Sequence, residues 1–289
     1  MSAPSTRSHN ASRVGGGDDE DSCGINCSNA TTSSSSTTRA ISIVTDPAAW
    51  SSTGDSSCCI RHTIRTDSVS AVRTEQVRWL AEPTLDRPVL IAGFTGWNDA
   101  GDAASTALTS MIESWDADVL AEIDPEPFTD FATVRPQVRL DEDRNRSIVW
   151  PTVGVWSASL PGTDVILLLG PEPALRWRLF SEQVTGIADR FEATMAISVG
   201  ALLADVPHSR PVPLIGTASD NSLIERFDLQ RSQYEGPTGI VGVLHDALHQ
   251  AGLPTASLWA AVPGYAAQVP SPKAAMALVD RACSMIGTP

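Results

Sequence analysis

The sequence predicts an α/β fold of three layers, α/β/α, with a mixed, mostly parallel sheet held between helices. Three observations carry that expectation. Pro88–Ser105 reads as a buried strand, a glycine-punctuated polar loop and the start of a helix, the opening unit of many such domains. Asp164–Leu169 is a continuous apolar run of the kind buried on both faces of a parallel sheet. From there onward, short apolar runs alternate with helical periodicities, as they do where strands are joined by crossover helices.

The chain has 289 residues, and its first 75 carry none of these signals. They are rich in Ser, Thr, Gly and Asp, with the polar run Thr31–Thr38 and only Ile41–Val44 as a short apolar stretch. Such a segment buries too little surface to offset the entropy of ordering it. Residues 1–75 are therefore expected to be a disordered extension, with a misassigned start codon as the alternative. Residues 76–289 are expected to form one α/β domain.

Within that domain Val89–Phe94 is the first predicted strand, and Asn98 or Asp99 is suited to cap the helix that follows. Ala100, Ala104, Ala107, Leu108, Met111, Ile112 and Trp115 fall on one stripe of that helix. Asp118–Ile123 reads as the next strand. Thr133–Leu140 and Ser147–Trp150 flank the polar turn 141–146 and read as a hairpin. After the strand at 164–169, Trp177, Phe180, Val184, Ile187, Ala188 and Phe191 mark a second amphipathic helix. Thr194–Val199, Val212–Thr217 and Ser257–Val262 are predicted strands. Helices are predicted over Ile240–Ala251 and from Ser271-Pro272, where the order is N-cap then proline.

Composition removes several functions. The 34 acidic residues outnumber the 20 basic ones, for a net charge of −14, so nucleic acid and anionic membranes are not expected partners. No apolar run approaches the ~20 residues of a membrane span, and no signal-peptide pattern opens the chain; a cytoplasmic protein is expected. Cys23, Cys27, Cys58 and Cys59 lie in the first 60 residues without a matching second pair at zinc-site spacing, so no metal is expected. The basic residues are nineteen arginines and one lysine, Lys273. Its helix-start setting matches no phosphate-cradling or Schiff-base motif, which speaks against P-loop and ATP-dependent ligase chemistry.

Five loops, 94–101, 170–173, 200–210, 217–222 and 263–270, are predicted to converge on the carboxyl edge of the sheet and form a pocket. The candidate pocket or interaction residues are Trp97, Asn98, Asp99, Asp102, Glu172, His208, Arg210, Glu235 and Thr238. Plain structural roles account for many of them. Asp99 and Asp102 suit a helix N-terminus, Thr238 suits an N-cap after Gly236-Pro237, and His208 and Arg210 sit in a loop whose path Pro207 and Pro211 set. No nucleophile elbow exists. His245 and His249 stand at i and i+4, but Asp246 replaces the glutamate of a zincin helix. They project away from Ile240, Val243, Leu244, Ala247 and Ala251, so both are expected to be solvated. No catalytic residue, cofactor or metal is assigned.

Five segments in register carry a resemblance: Gly96–Ala104, Gly170–Trp177, Val206–Val212, Tyr234–Gly242, and Leu258–Pro263 with Ser271–Ala274. Together they resemble the PAC2 (proteasome assembly chaperone 2) family in its actinobacterial form. The resemblance implies a fold similar to nucleoside phosphorylases and related hydrolases. It also implies self-association, with a trimer as one state, and a non-enzymatic role in assembling or contacting the 20S proteasome core. Trp97 and Trp156 are then candidate anchors for a partner. The chain departs from the pattern at Met285–Pro289, which lacks the hydrophobic–Tyr–any tail of some proteasome-docking relatives, and it lacks an acidic helical tail. Carboxyl-terminal docking is therefore not carried over. The alternative reading is a nucleoside phosphorylase- or hydrolase-like enzyme using Asp99, Asp102, His208 and Glu235 as acid–base groups.

Overall fold

The predicted strand at Val89 lies in the middle of an eight-stranded sheet in the computed structural model, which describes residues 74–288. The strands are β1 (Val77–Trp79), β2 (Val89–Thr95), β3 (Asp118–Ile123), β6 (Val153–Leu160), β7 (Thr163–Pro171), β8 (Met195–Ala204), β9 (Leu214–Ala218) and β10 (Thr255–Pro263). Between β3 and β6 the chain forms a separate hairpin, β4 (Gln137–Leu140) with β5 (Arg146–Val149). The helices are α1 (Ala103–Ser114), α2 (Trp177–Arg190), α3 (Asn221–Phe227), α4 (Ile240–Gln250) and α5 (Pro272–Ile286).

The sheet runs β1-β3-β6-β7-β2-β8-β10-β9. Its centre, β7, β2, β8 and β10, is parallel. Antiparallel strands extend both sides, β6, β3 and β1 beyond β7 and β9 beyond β10. The mixed α/β architecture expected from the sequence is thus present.

Alternation along β2 sorts the core into two layers. Val89 and Ile91 face α1 and α5, where Ala104, Leu108, Met111, Ala274 and Leu278 are buried. Leu90, Ala92 and Phe94 face α2 and α4, where Phe180, Val184, Ile187, Ile240 and Leu244 are buried. Phe180 meets Phe94 and Phe128 edge to face, at centroid distances of 5.8 and 5.3 Å. The small residues of α1 let its backbone lie close to the sheet.

Three elements were not anticipated. β1 is only three residues long, with one buried side chain, Val77. α3 is seven residues and buries only Leu223. β6 mixes small, polar and apolar residues, so no period stands out. Its signal was Pro161-Gly162, the two-residue turn that pairs Leu160 with Thr163. β8 and β10 run further than their apolar centres suggested, to Ala204 and Pro263. The extension expected over residues 1–75 lies, apart from Thr74 and Glu75, outside the described residues. Among the described residues no helix is long and apolar enough to cross a membrane, and no group of three or more metal-type side chains could hold an ion.

Candidate functional site

The carboxyl ends of β2, β7, β8 and β10 bring four of the five expected loops to one edge of the sheet. The fifth, 217–222, is at the opposite edge. β9 is antiparallel to β10, so its carboxyl end points the other way. Strand direction depends on pairing partners distant in sequence, and no local pattern in Val212–Thr217 encodes it.

The loop after β2 is tightly held. The Ala201 amide donates to the Asn98 carbonyl at 2.8 Å, and Asp99 bridges Ala201 in parallel. One carboxylate oxygen of Asp99, Oδ1, accepts the Ala104 amide at 2.7 Å and the Ser105 amide at 3.1 Å. Asp99 is thus the side-chain cap of α1, acting across a short 3-10 turn at Ala100–Asp102. Asp102 does not cap. It occupies the N-cap position with φ 50°, is exposed, and its side chain makes no capping bond. Gly101 has φ 59°, and its carbonyl accepts the Ser271 amide at 2.7 Å, which ties this loop to the start of α5.

On the other face, Glu172 at the end of β7 performs the same task for α4. Its Oε1 accepts the Ile240 amide at 2.8 Å and the Asn98 side-chain amide at 2.9 Å. Gly239 is required here by space: a Cβ at that position would lie 2.5 Å from Asn98 Oδ1 and 2.7 Å from Glu172 Oε1. Asn98 is fully buried. Asn98 Oδ1 and Asp99 Oδ2 are buried acceptors with no hydrogen-bond partner from the protein. Two helix N-termini on opposite faces are therefore each closed by a carboxylate, in the favourable orientation for the helix dipole.

The remaining candidates surround this cluster without joining it. Trp97 is 67% exposed above the edge. Thr238 and Glu235 are exposed. The expected N-cap role of Thr238 is not observed: Gly239 is the N-cap residue, without a side-chain bond of its own, because Glu172 reaches the first helical amide instead. His208 and Arg210 lie in an exposed loop. The His208 amide donates to the Tyr265 hydroxyl at 2.7 Å, and His208 Nδ1 lies 2.8 Å from the same oxygen. Lys273 Nζ donates to the carbonyls of His208 and Arg210, at 3.0 and 2.6 Å. The single lysine is a clamp on this loop. Tyr265 was not anticipated; lying two residues after Pro263, it carried no motif. Trp156 is half-buried, with its ring over Gly154.

His245 is not solvated as expected. Its Nε2 lies 3.1 Å from Ser219 Oγ and 3.3 Å from Thr255 Oγ1, and its Nδ1 is buried without a partner. α4 packs on β8 and β10, and Ser219 just after β9 and Thr255 at the start of β10 reach His245, so a residue flanking its apolar stripe is covered too. Burial, followed by the neighbouring His249, pushes the His245 pKa down from its ordinary value. His249 remains exposed, with Nδ1 3.6 Å from Asp220 Oδ2.

The PAC2 family model matches residues 93–289. The chain belongs to the PAC2 family. A PAC2 family protein from Streptomyces avermitilis is 45% identical, with 70% of this chain and 87% of that one aligned at a TM-score of 0.68. A proteasome-assembly chaperone homologue from Mycobacterium tuberculosis is 41% identical over 70% of this chain and 86% of that one, at a TM-score of 0.65. A Pyrococcus furiosus archaeal proteasome activator is 17% identical over 74% of this chain and 89% of that one. Its TM-score of 0.59 shows likeness of fold. No curated protein sequence matches the chain. The PAC2 match spans Asn98, Asp99, Glu172 and Gly239, so both capping arrangements fall inside the family region.

Proposed function

We propose that the chain is a non-enzymatic, cytoplasmic proteasome-assembly chaperone-like or adaptor protein that contacts 20S proteasome subunits and self-associates. The observation that carries this reading is its 41% identity with the Mycobacterium tuberculosis proteasome-assembly chaperone homologue, over 86% of that protein. The chemistry of the sheet edge supports it. Asp99 Oδ1 and Glu172 Oε1 each accept two amide donors, which makes them structural anchors. Trp97 is exposed at this edge, an aromatic suited to anchoring a protein partner.

The test is association of the full chain with 20S α and β subunits, read by co-purification and by size-exclusion chromatography of mixtures. Binding to at least one subunit type is expected, weakened at least tenfold by Trp97→Ala. If neither subunit type is retained by the full chain or by residues 76–289, the reading fails.

A further inference from the structure

The β4–β5 hairpin stands apart from the domain that carries it. All eight of its strand residues are exposed, and its two strands pair only with each other. A lone two-stranded hairpin is marginal in water. The register places Val138 opposite Ile148 and Leu140 opposite Arg146, so Val138, Leu140 and Ile148 share one face, and Trp150 continues it at the same two-residue spacing. These four are 52%, 64%, 44% and 48% exposed. The arm is fixed only at its root, where Trp150 packs edge to face on Phe131 at 5.1 Å.

The charge of the arm runs against that of the molecule. In a chain of net charge −14, the arm carries Arg135, Arg139, Arg144 and Arg146 against Asp141, Glu142 and Asp143. Asp141 is engaged inside the turn, accepting the amide and the side-chain amide of Asn145. None of the four arginines is in an ion pair among the described residues. The complementary surface is present on the same chain: an open cleft of about 430 Å³ with Glu75, Asp124 and Glu126, and the mutually paired Arg78 and Glu122, around Val77, Ile123 and Pro125. Trp150 and Thr152 line the cleft, so the root of the arm lies at its rim, and the two four-residue strands extend about 14 Å.

We propose that the hairpin is a self-association arm, its apolar face, which also carries Arg146, seated in the acidic cleft of a second copy of this chain. Burial of Val138, Leu140 and Ile148 supplies the affinity. The charges set orientation and exclude wrong pairings, since exposed ion pairs contribute little by themselves. The inference rests on the self-association part of the proposed function and is independent of the proteasome part.

Sedimentation equilibrium of the full chain tests it. The wild type is expected to sediment as more than one chain, and Leu140→Asp with Ile148→Asp as a single chain that keeps the wild-type circular-dichroism spectrum, since both side chains are exposed, and whose melting temperature no longer rises with protein concentration. Glu75→Arg with Glu126→Arg is expected to sediment as a single chain as well, and to associate again when mixed with Arg146→Glu. A wild type that sediments as one chain at every concentration overturns the inference, as does an oligomer that survives the Leu140/Ile148 changes. Subunit binding measured in parallel separates the two proposals. If the arm variant keeps the oligomer and loses a proteasome subunit, the arm binds that subunit and not a second copy. If it is monomeric and still binds, the arm inference stands by itself.

Discussion

At the residue scale, Asp99 and Glu172 act through the backbone amides they close. Asp99→Ala removes the acceptor shared by the Ala104 and Ser105 amides and is expected to cost about 1–2 kcal/mol in urea unfolding. Gly239→Ala forces a methyl group within 2.5 Å of Asn98 Oδ1 and is expected to cost about 1–3 kcal/mol by the same assay. His245 makes stability depend on pH. Its folded pKa is depressed by burial and by His249, so as pH falls through the ordinary ~6.5 of an unfolded histidine, the unfolded chain takes up the proton first. Stability is therefore full above that value and is lost as pH falls toward the folded pKa. Nearby Asp246 and Asp220 oppose the shift without reversing it. The unfolding free energy of His245→Asn should fall less than that of wild type between pH 7.5 and pH 5.5; parallel curves would show that His245 is not the group responsible.

At the element scale, several parts are held by side chains reaching from elsewhere. The loop after β8 depends on Lys273 and Tyr265, which lie beyond β10. Lys273→Met is expected to speed amide hydrogen exchange across residues 205–211 while leaving protection in β8 and β10 unchanged. Global stability should change by less than about 1 kcal/mol, because these contacts are exposed to solvent. Legibility differed among the elements for physical reasons. α1 and α4 bury one stripe and so display a helical period; α2 is buried nearly all round from Phe180 to Ala188 and is marked by its large apolar residues, and α5 is announced by its Ser271-Pro272 start. β7 is buried on both sides and reads as a continuous apolar run. β6 has buried Ser157 and half-buried Trp156, so its polarity obscured it, and three-residue β1 is too short for any period to show.

At the scale of the whole molecule, the sheet edge is closed by Asp99 and Glu172, each engaged with amide donors. A nucleoside-binding enzyme would be stabilised by its ligand through mass action. For the proposed adaptor, nucleosides and inorganic phosphate at millimolar concentration should leave the melting temperature unchanged; a shift of more than about 2 °C would revive the enzyme reading, since it corresponds to a ligand contribution on the order of 1 kcal/mol for a domain of this size.

The identity of the longer elements, the hydrophobic faces of α1, α2 and α4, and the family segments were readable along the chain, because each depends on residues close together in sequence; β1, β6 and α3 were not. Glu172 could be singled out at a strand end, but nothing local announced that it closes a helix 68 positions away. The reversal of β9, which sends the 217–222 loop to the far edge, and the covering of His245 from two sides follow from which strands pair and how helices settle on them. Those arrangements are set by burial summed over both faces of the sheet. That sum exists only once distant segments have come together.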